Sequence, residues 1–198
     1  MNPQYINNYF GDMDLYLMDA ILKGHTPDRG SVLDVGCGQG RNGLYFLRGG
    51  YNYFGIDPDI PSLKLVEYLS SQYKGASCAF AATTIHEFKP EKRFDLIICS
   101  QVLHFAKNKE DFLSMWDQLS RLIHPSGVIY VAMDSLIDTK LNGKWDGEHY
   151  QFPDGKCRFP LVADVYELMK KGFEEIEALK TLVLHAQRAQ SFMLLRKS

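Results

Sequence analysis

The sequence has no long block of charge of one sign and no long apolar segment. Its 22 basic and 24 acidic residues give a formal net charge of −2. Nucleic-acid binding usually requires a basic stripe, so we expect no nucleic-acid partner. The longest apolar run, Val128 to Met133, is far too short to cross a bilayer, and the first thirty residues lack the apolar core of a signal peptide. We therefore predict a cytoplasmic protein with no membrane partner.

Cysteine is scarce, and its spacing is not that of a metal site. The four cysteines include no CxxC pair and have no histidine at a metal-ligand interval. We predict reduced thiols and no bound metal, as is usual in the cytosol. No tract rich in Gly, Ser or Pro suggests a disordered tail. The length of 198 residues therefore predicts one folded domain over 1–198.

Short apolar segments alternate with helical patterns, which predicts βα units and a mostly parallel sheet. The last two strands are joined closely enough to pair as antiparallel neighbours. We predict helices at 3–23, 41–48, 61–71, 109–123 and 162–171, and strands at 31–35, 53–57, 78–82, 94–99, 128–133, 174–184 and 191–196.

The segment at about 134–161 breaks this alternation. It is too long for an ordinary connection, and it holds aromatic side chains among glycines and charges. Long loops in compact domains are commonly lids or binding loops. We predict that this segment is a substrate lid.

The run Val32–Gly40, VLDVGCGQG, joins a strand to a helix through a loop with glycine at every second position. Glycine tolerates positive φ and lets backbone N–H groups approach a ligand, so the loop predicts a nucleotide-cofactor cradle. Asp57 ends the next strand, where a carboxylate accepts hydrogen bonds from both ribose hydroxyls. A capping aspartate before Pro58 is the alternative interpretation.

Two residues argue against a dinucleotide cofactor. The dinucleotide fingerprint requires a third glycine where this chain has Arg41. Asp34, before the loop, would repel a phosphate and attract an amine. The pattern favours a cofactor with an ammonium group and disfavours a nicotinamide oxidoreductase.

Three stretches, VLDVGCGQG, GIDPD at 55–59 and FDLIICSQVLHF at 94–105, resemble the class I S-adenosylmethionine-dependent methyltransferases. Within that class the chain is similar to the tellurite-resistance methyltransferase family, through Asn8-Tyr9-Phe10, GRNGLYF at 40–46, VAMDS at 131–135 and the closing SFMLLRK. The resemblance implies a three-layer α/β, Rossmann-like fold. Its sheet would be seven-stranded and mostly parallel, with an antiparallel last strand and helices on both faces.

The resemblance also implies a set of cofactor contacts, with S-adenosylhomocysteine as the product. Backbone contacts would come from Gly36 to Gly38, Asp34 would lie near the methionine amine, and Asp57 would bind the ribose. An acidic residue that the class usually places near the adenine is replaced by Ala82-Thr83-Thr84, and a threonine hydroxyl or a backbone amide would substitute. The full set is Tyr9, Asp34, Gly36, Cys37, Gly38, Gly40, Arg41, Asn42, Asp57, Pro58, Thr83, Thr84, Ser100 and Gln101.

Some of these residues have a second interpretation. Arg41, with Asn42 beside it, would bind the methionine carboxylate, although a solvated surface arginine fits as well. Tyr9 would close over the cofactor, but an apolar helix face packed on the core also explains it. Gly43, inside a helix, indicates close packing on the sheet.

The acceptor side is less well defined by sequence. We expect His185 as a catalytic residue and Phe159 and Arg188 as substrate contacts, with a surface hairpin histidine as the alternative for His185. The tellurite family has a Leu-His-Arg run here, whereas this chain reads Leu184-His185-Ala186. Tellurite itself is therefore in doubt. We interpret His86 and His104 as structural or solvent-facing.

The function predicted is methyl transfer from S-adenosylmethionine to a small-molecule nucleophile, such as a thiol, selenium or tellurium species. The reaction is an in-line displacement, which depends chiefly on alignment of the reactants. A noncatalytic scaffold or regulatory protein that binds the same cofactor is the alternative. We expect a monomer or homodimer with a small-molecule partner.

Overall fold

The computed structural model describes residues 3–73 and 77–198; residues 1, 2 and 74–76 of the predicted domain lie outside the described residues. The chain forms α-helices and β-strands in the alternating order that the sequence predicts. In chain order the elements are α1 (Pro3–Phe10), α2 (Leu15–Leu22), β1 (Ser31–Val35), α3 (Gly43–Arg48), β2 (Asn52–Asp57), α4 (Ile60–Ser70), β3 (Ser77–Ala82), β4 (Phe94–Ser100), α5 (Lys109–Leu122), β5 (Ile123–Asp134), β6 (Lys144–Trp145), β7 (Tyr150–Gln151), β8 (Cys157–Arg158), α6 (Ala163–Met169), β9 (Phe173–Glu175), β10 (Lys180–Leu184) and β11 (Arg188–Lys197).

The main sheet has the strand order β10-β11-β5-β4-β1-β2-β3, and β9 pairs with β11 beside it. Strands β1 to β5 are parallel, whereas β11 is antiparallel to β5 and to β10. This confirms the predicted seven-stranded, mostly parallel sheet with an antiparallel last strand. The chain runs outward from β1 in one direction and from β4 in the other. Ligands of open α/β sheets bind at such a switch point, at the carboxyl ends of the strands.

The apolar run of β4 is buried on both faces, as its composition predicts. Leu96 and Ile98 pack in one core cluster with α2 and α3, and Ile97 and Cys99 pack in the other with α5. The alternation of side chains along a strand divides them between the two faces. The sheet therefore lies between two helical layers.

Local signals at helix ends are confirmed. The Asn108 side chain accepts a hydrogen bond from the Asp111 amide at the start of α5. Helix α3 ends at Arg48, where Gly49 follows. The predicted strand at 128–133 begins earlier than expected, at Ile123.

Two predicted elements are wrong in their extent. The single helix over 3–23 is two helices, because Gly11 takes φ +59° and Asp14 starts α2 by accepting from the Tyr16 amide. The strand over 174–184 is divided into β9 and β10. Between them, Glu177 accepts hydrogen bonds from Lys23 and His25.

The segment predicted as a lid contains the small antiparallel sheet β6-β7-β8. Tyr150 and Phe152 are buried, Phe159 packs in the core beside α5, and Trp145 is exposed. A bridge between Ser135 and Leu161 joins the two ends of the segment. Within residues 3–73 and 77–198, no helix combines the length and apolar character that a membrane crossing requires.

Candidate functional site

A cavity of about 770 Å³ lies at the carboxyl ends of β1 to β4, at the switch point of the sheet. Its wall comes from the loop after β1, the ends of β2 and β3, and the segment between β4 and α5. The lining residues are 35–39, Arg41, Ile56, Asp57, Pro58, 83–86, 100–102, Phe105, Lys107, Asp111 and Met115.

The glycine loop, residues 35–41, is held against β2 by its own backbone. The amides of Gly36 and Cys37 donate to the Ile56 carbonyl at 2.8 and 3.1 Å, and the Gly38 amide donates to Asp57 Oδ2 at 2.9 Å. These three amides therefore have partners within the protein, while all three residues line the cavity, where contact with a ligand stays a prediction. Gly36 has φ +69°, and a β-carbon on it would lie 2.3 Å from Val102 Cγ2. Glycine here leaves the cavity open.

Asp57 projects from the end of β2 into the lining. Besides the Gly38 amide, its carboxylate accepts from the Asp59 amide through Oδ1 at 2.8 Å. The residue that caps α4 is Asp59, whose side chain accepts from the Ser62 amide. A carboxylate has about four lone-pair positions, so Asp57 retains acceptor capacity at the cavity.

Asp34 lies behind the cavity wall and is not part of the lining. It is 2% exposed, and the Tyr53 hydroxyl donates to its Oδ2 at 2.8 Å. Burial raises the pKa of Asp34 to about 7, against the opposing effects of the Tyr53 hydrogen bond and of the Arg41 charge. A β-carbon on Gly43 would lie 2.5 Å from the Tyr53 hydroxyl, which confirms that this glycine serves close packing.

Asp14, which sequence reasoning missed, fastens the N-terminal helices to the cavity. Its Oδ2 accepts from Ser100 Oγ at 3.2 Å, and Arg41 Nη2 lies 4.0 Å from the same oxygen and 3.4 Å from Ser100 Oγ. Tyr130 donates to Asp14 Oδ1 at 2.7 Å. The Asn42 side chain accepts from the Asp14 amide and does not line the cavity. Asn42 thus has a structural partner where a ligand contact was predicted.

The far end of the cavity, beyond β2, is formed by residues after β3 and before α5. Thr83 and Thr84, which were expected to contact the cofactor, line this end of the cavity. His86, interpreted as structural or solvent-facing, also lines it, and its Nε2 lies 3.0 Å from Asp111 Oδ1. Phe105 in the same wall is 71% exposed, so an apolar ring faces the open cavity.

Four charged or polar side chains meet on the other side of the switch point, at the end of β5. We call them the Asp134 cluster: Asp134, Arg158, Arg188 and His104. Asp134 is fully buried; Arg158 Nε lies 2.9 Å from its Oδ2, and Arg188 Nε donates to its Oδ1 at 2.5 Å. His104 Nδ1 is 3.7 Å from Oδ2. Burial lowers the pKa of His104 to about 4, so its ring is neutral at pH 7.

Gln101 connects the Asp134 cluster to the cavity. It lines the cavity directly after β4, with φ +64°. Its side-chain Oε1 accepts from Arg188 Nη2 at 2.6 Å and from Gln190 Nε2 at 2.7 Å. Arg188, predicted as a substrate contact, therefore reaches the cavity wall through Gln101.

Four other predicted residues do not line the cavity. The Tyr9 ring contacts Phe10 and Tyr45. The Gly40 amide closes the glycine loop on the Cys37 carbonyl. The other two are Phe159, which is buried and stacked on Phe112, and His185, which is exposed in the turn between β10 and β11. These positions match the packing and hairpin alternatives for Tyr9 and His185.

Comparison with known proteins identifies methyltransferases. A family model described as a methyltransferase domain matches residues 33–129. The ubiquinone biosynthesis O-methyltransferase of Rhodopseudomonas palustris (strain BisB5) is 29% identical over 101 residues, which are 51% of this chain and 38% of that protein. The enzyme of the same name from Rickettsia bellii (strain OSU 85-389) is 24% identical over 85% of this chain and 71% of its own length.

Solved structures with the same fold are also methyltransferases or their relatives. TehB from Haemophilus influenzae has a TM-score of 0.71 at 20% identity, covering 94% of this chain and 63% of that one. The 1,6-didemethyltoxoflavin-N1-methyltransferase of Burkholderia thailandensis was solved with 1,6-didemethyltoxoflavin and S-adenosylhomocysteine bound. It has a TM-score of 0.69 at 20% identity, and the match covers 98% of this chain and 86% of that one. At this identity the likeness concerns the fold.

Proposed function

We propose, from the premise that the chain belongs to the S-adenosylmethionine-dependent methyltransferases, that it methylates a small-molecule nucleophile in the cavity at the switch point. The observation that carries the proposal is the position of Asp57, which presents a carboxylate to that cavity beside the glycine loop. S-adenosylmethionine is the cofactor, and when bound it supplies a methyl group on a sulfonium.

The residues present fit this cofactor. A volume of about 770 Å³ accepts a molecule of nucleoside size together with a small acceptor. Gly36 keeps the space in front of Val102 open, and Asp57 offers acceptor positions to ribose hydroxyls. With the ribose at Asp57, the base lies toward Thr83 and Thr84, and the methionine lies toward Arg41.

Near Arg41 the chain offers opposite charges to the carboxylate and to the ammonium group of the cofactor's methionine part. Arg41 lines the cavity, and its contacts with Asp14 at 4.0 Å and with Ser100 at 3.4 Å use Nη2 alone, so its guanidinium keeps further donors for a carboxylate. Asp34 lies behind the loop and, when ionised, favours a cation in front of it. Ser100 lies beside Arg41, and its hydroxyl donates to Asp14.

Within the described residues, the Asp134 cluster supplies no general base to the acceptor side. Asp134 has both oxygens against arginines, and His104 is buried with its pKa lowered to about 4. An acceptor at this side must therefore reach the cavity already ionised, as a thiolate, a selenide or a tellurium oxyanion does, so that no proton has to be removed by the protein. The chain's contribution is alignment of the two molecules and exclusion of water.

Ligand binding tests the cofactor assignment. S-adenosylhomocysteine should raise the melting temperature with increasing concentration, and NADH should not. D57A should remove most of this shift, because the carboxylate that binds the ribose is lost. D59A is the matched control: it removes the cap of α4 and should lower the basal melting temperature while retaining the ligand shift. An unchanged shift in D57A would contradict the ribose assignment.

Transfer is tested separately, with S-adenosylmethionine labelled in its methyl group. A panel of thiols, selenite, tellurite and small amines should yield labelled product from the sulfur, selenium or tellurium compounds. Binding of S-adenosylhomocysteine with no product from any of them would favour the noncatalytic alternative.

A further inference from the structure

We propose that the methyl acceptor carries a hydrogen-bond-accepting oxygen beside its nucleophilic atom, and that the side-chain amide of Gln101 binds this oxygen in an orientation fixed by Arg188. The inference rests on the proposed methyl transfer and specifies the class of acceptor.

The position of Gln101 in the sheet places it on the acceptor's side of the cavity. Gln101 follows β4, whereas Asp57 follows β2, and β1 lies between these two strands. A nucleoside with its ribose at Asp57 and its base toward β3 occupies the opposite side of the switch point. The resemblance implied a cofactor contact for Gln101, which adjoins Ser100 at the methionine end. Its side chain, however, bonds Arg188 of the Asp134 cluster on the far side, so we assign the space beside it to the second molecule.

Hydrogen bonding determines which way the Gln101 amide faces. A guanidinium only donates, and a side-chain amide accepts only through its oxygen. Arg188 Nη2 and Gln190 Nε2 both lie within 2.7 Å of Gln101 Oε1. The flipped amide would set its own N–H groups against the guanidinium donor, so the observed orientation is fixed.

The fixed orientation leaves the amide nitrogen with two donors to use. Within the described part of the chain, Gln101 Nε2 donates to no protein atom. Gln101 lines the cavity, so these N–H groups are available to a ligand there. Donors of this kind bind an oxygen with lone pairs, such as a carboxylate or a carbonyl, and offer nothing to an apolar neighbour.

Backbone and ionic contacts hold Gln101 in place before any ligand arrives. Its φ of +64° is uncommon for a residue other than glycine, and its amide donates to the Ala132 carbonyl at 2.7 Å. Arg188 is in turn held by buried Asp134, which also binds Arg158 of β8. A preorganised donor loses little conformational entropy on binding.

Two thiols that differ in one group test the proposal. The ¹⁵N-labelled protein, saturated with S-adenosylhomocysteine, is titrated with 2-mercaptobenzoate and with thiophenol, and the Gln101 side-chain amide resonances are followed. We expect these resonances to shift with 2-mercaptobenzoate, and its dissociation constant to be at least about tenfold lower than that of thiophenol.

Three variants distinguish the loss of the Gln101 side-chain amide from a general loss of structure. Q101E replaces the donors by acceptors, and R188K keeps the charge beside Asp134 but lacks the fork that reaches Gln101; each should remove the tenfold preference. Q187E, in the exposed turn after β10, makes the same Gln-to-Glu change away from the cavity and should keep the preference. The affinity for S-adenosylhomocysteine should stay within about threefold in R188K and Q187E.

Two results would overturn the assignment of Gln101. One is equal binding, or no binding, of the two thiols by protein that still binds S-adenosylhomocysteine. The other is a loss of S-adenosylhomocysteine binding in Q101E, which would assign the amide to the cofactor. If the unaltered protein does not bind S-adenosylhomocysteine, the proposed function fails first and the acceptor assignment falls with it.

Discussion

Two buried aspartates, one on each side of the switch point, have opposite surroundings. Asp34, on the side of the glycine loop, receives one hydrogen bond from a neutral hydroxyl, that of Tyr53. Asp134, at the end of β5, faces the guanidinium groups of Arg158 and Arg188. The residue type and the burial are the same, so the difference lies in what the fold brings to each carboxylate.

The comparison teaches that the two halves of the site are built in different ways. The glycine loop is fixed by backbone hydrogen bonds to β2, its neighbour in the sheet, and by the carboxylate of Asp57. The Asp134 cluster is fixed by charged side chains from β8 and from β11. A buried charge needs a partner, whereas a buried carboxylate with a single hydroxyl is easily protonated.

The largest effect is expected from removal of the paired carboxylate. D134A should lower the free energy of unfolding by about 3–5 kcal/mol, because it leaves two arginines without their shared anion. Urea denaturation measures the change. D164A removes an exposed carboxylate that pairs with Lys109 and should cost less than about 1 kcal/mol. Equal costs in the two variants would mean that the Asp134 cluster does not hold the acceptor side together.

The glycine-loop side could be predicted from sequence because its signals are local. The strand–loop–helix pattern, the carboxylate at the end of β2 and the apolar run of β4 are each read within a few residues, and the structure has them where they were expected. The amides of the loop are the exception. Their use by Ile56 and Asp57 depends on how the loop folds back on β2.

The acceptor side could not be predicted, because its contacts join residues far apart in the chain. Arg188 and Asp134 are 54 residues apart, and Ser100 and Asp14 are 86 apart. No periodicity relates such positions; only the sheet order and the break at Gly11 bring them together. Phe159, expected at the substrate, is instead required by the core beside α5.

Asp34, whose carboxylate is buried beside a neutral hydroxyl, should make the free energy of unfolding depend on pH. Asp34 has a pKa of about 7 when folded and an ordinary value of 3.8, so its burial costs nothing below pH 4 and costs progressively more as the pH rises through 7. D34N, which keeps an acceptor for Tyr53, should gain up to about 4 kcal/mol over the unaltered protein between pH 4 and pH 8. Y53F removes a hydrogen bond that lowers this pKa, so the loss of stability should begin at the same pH and extend to higher pH. Parallel pH profiles for D34N and the unaltered protein, measured by urea denaturation, would refute the assignment.

The smallest effect is expected from a substitution at Gly36. It tests whether this position needs glycine for the space in front of Val102 as well as for its positive φ. G36A should lose about 1–3 kcal/mol of stability, because its φ is +69° and the new methyl group would lie 2.3 Å from Val102 Cγ2. Gly50 has a similar φ of +74° with no atom within 4 Å of a β-carbon, so G50A carries the backbone strain without the clash. Calorimetry with S-adenosylhomocysteine should give at least about tenfold weaker binding for G36A and unchanged binding for G50A, since only the first narrows the cavity. Equal affinities in the two variants would mean that the space beside Val102 is not used by the ligand.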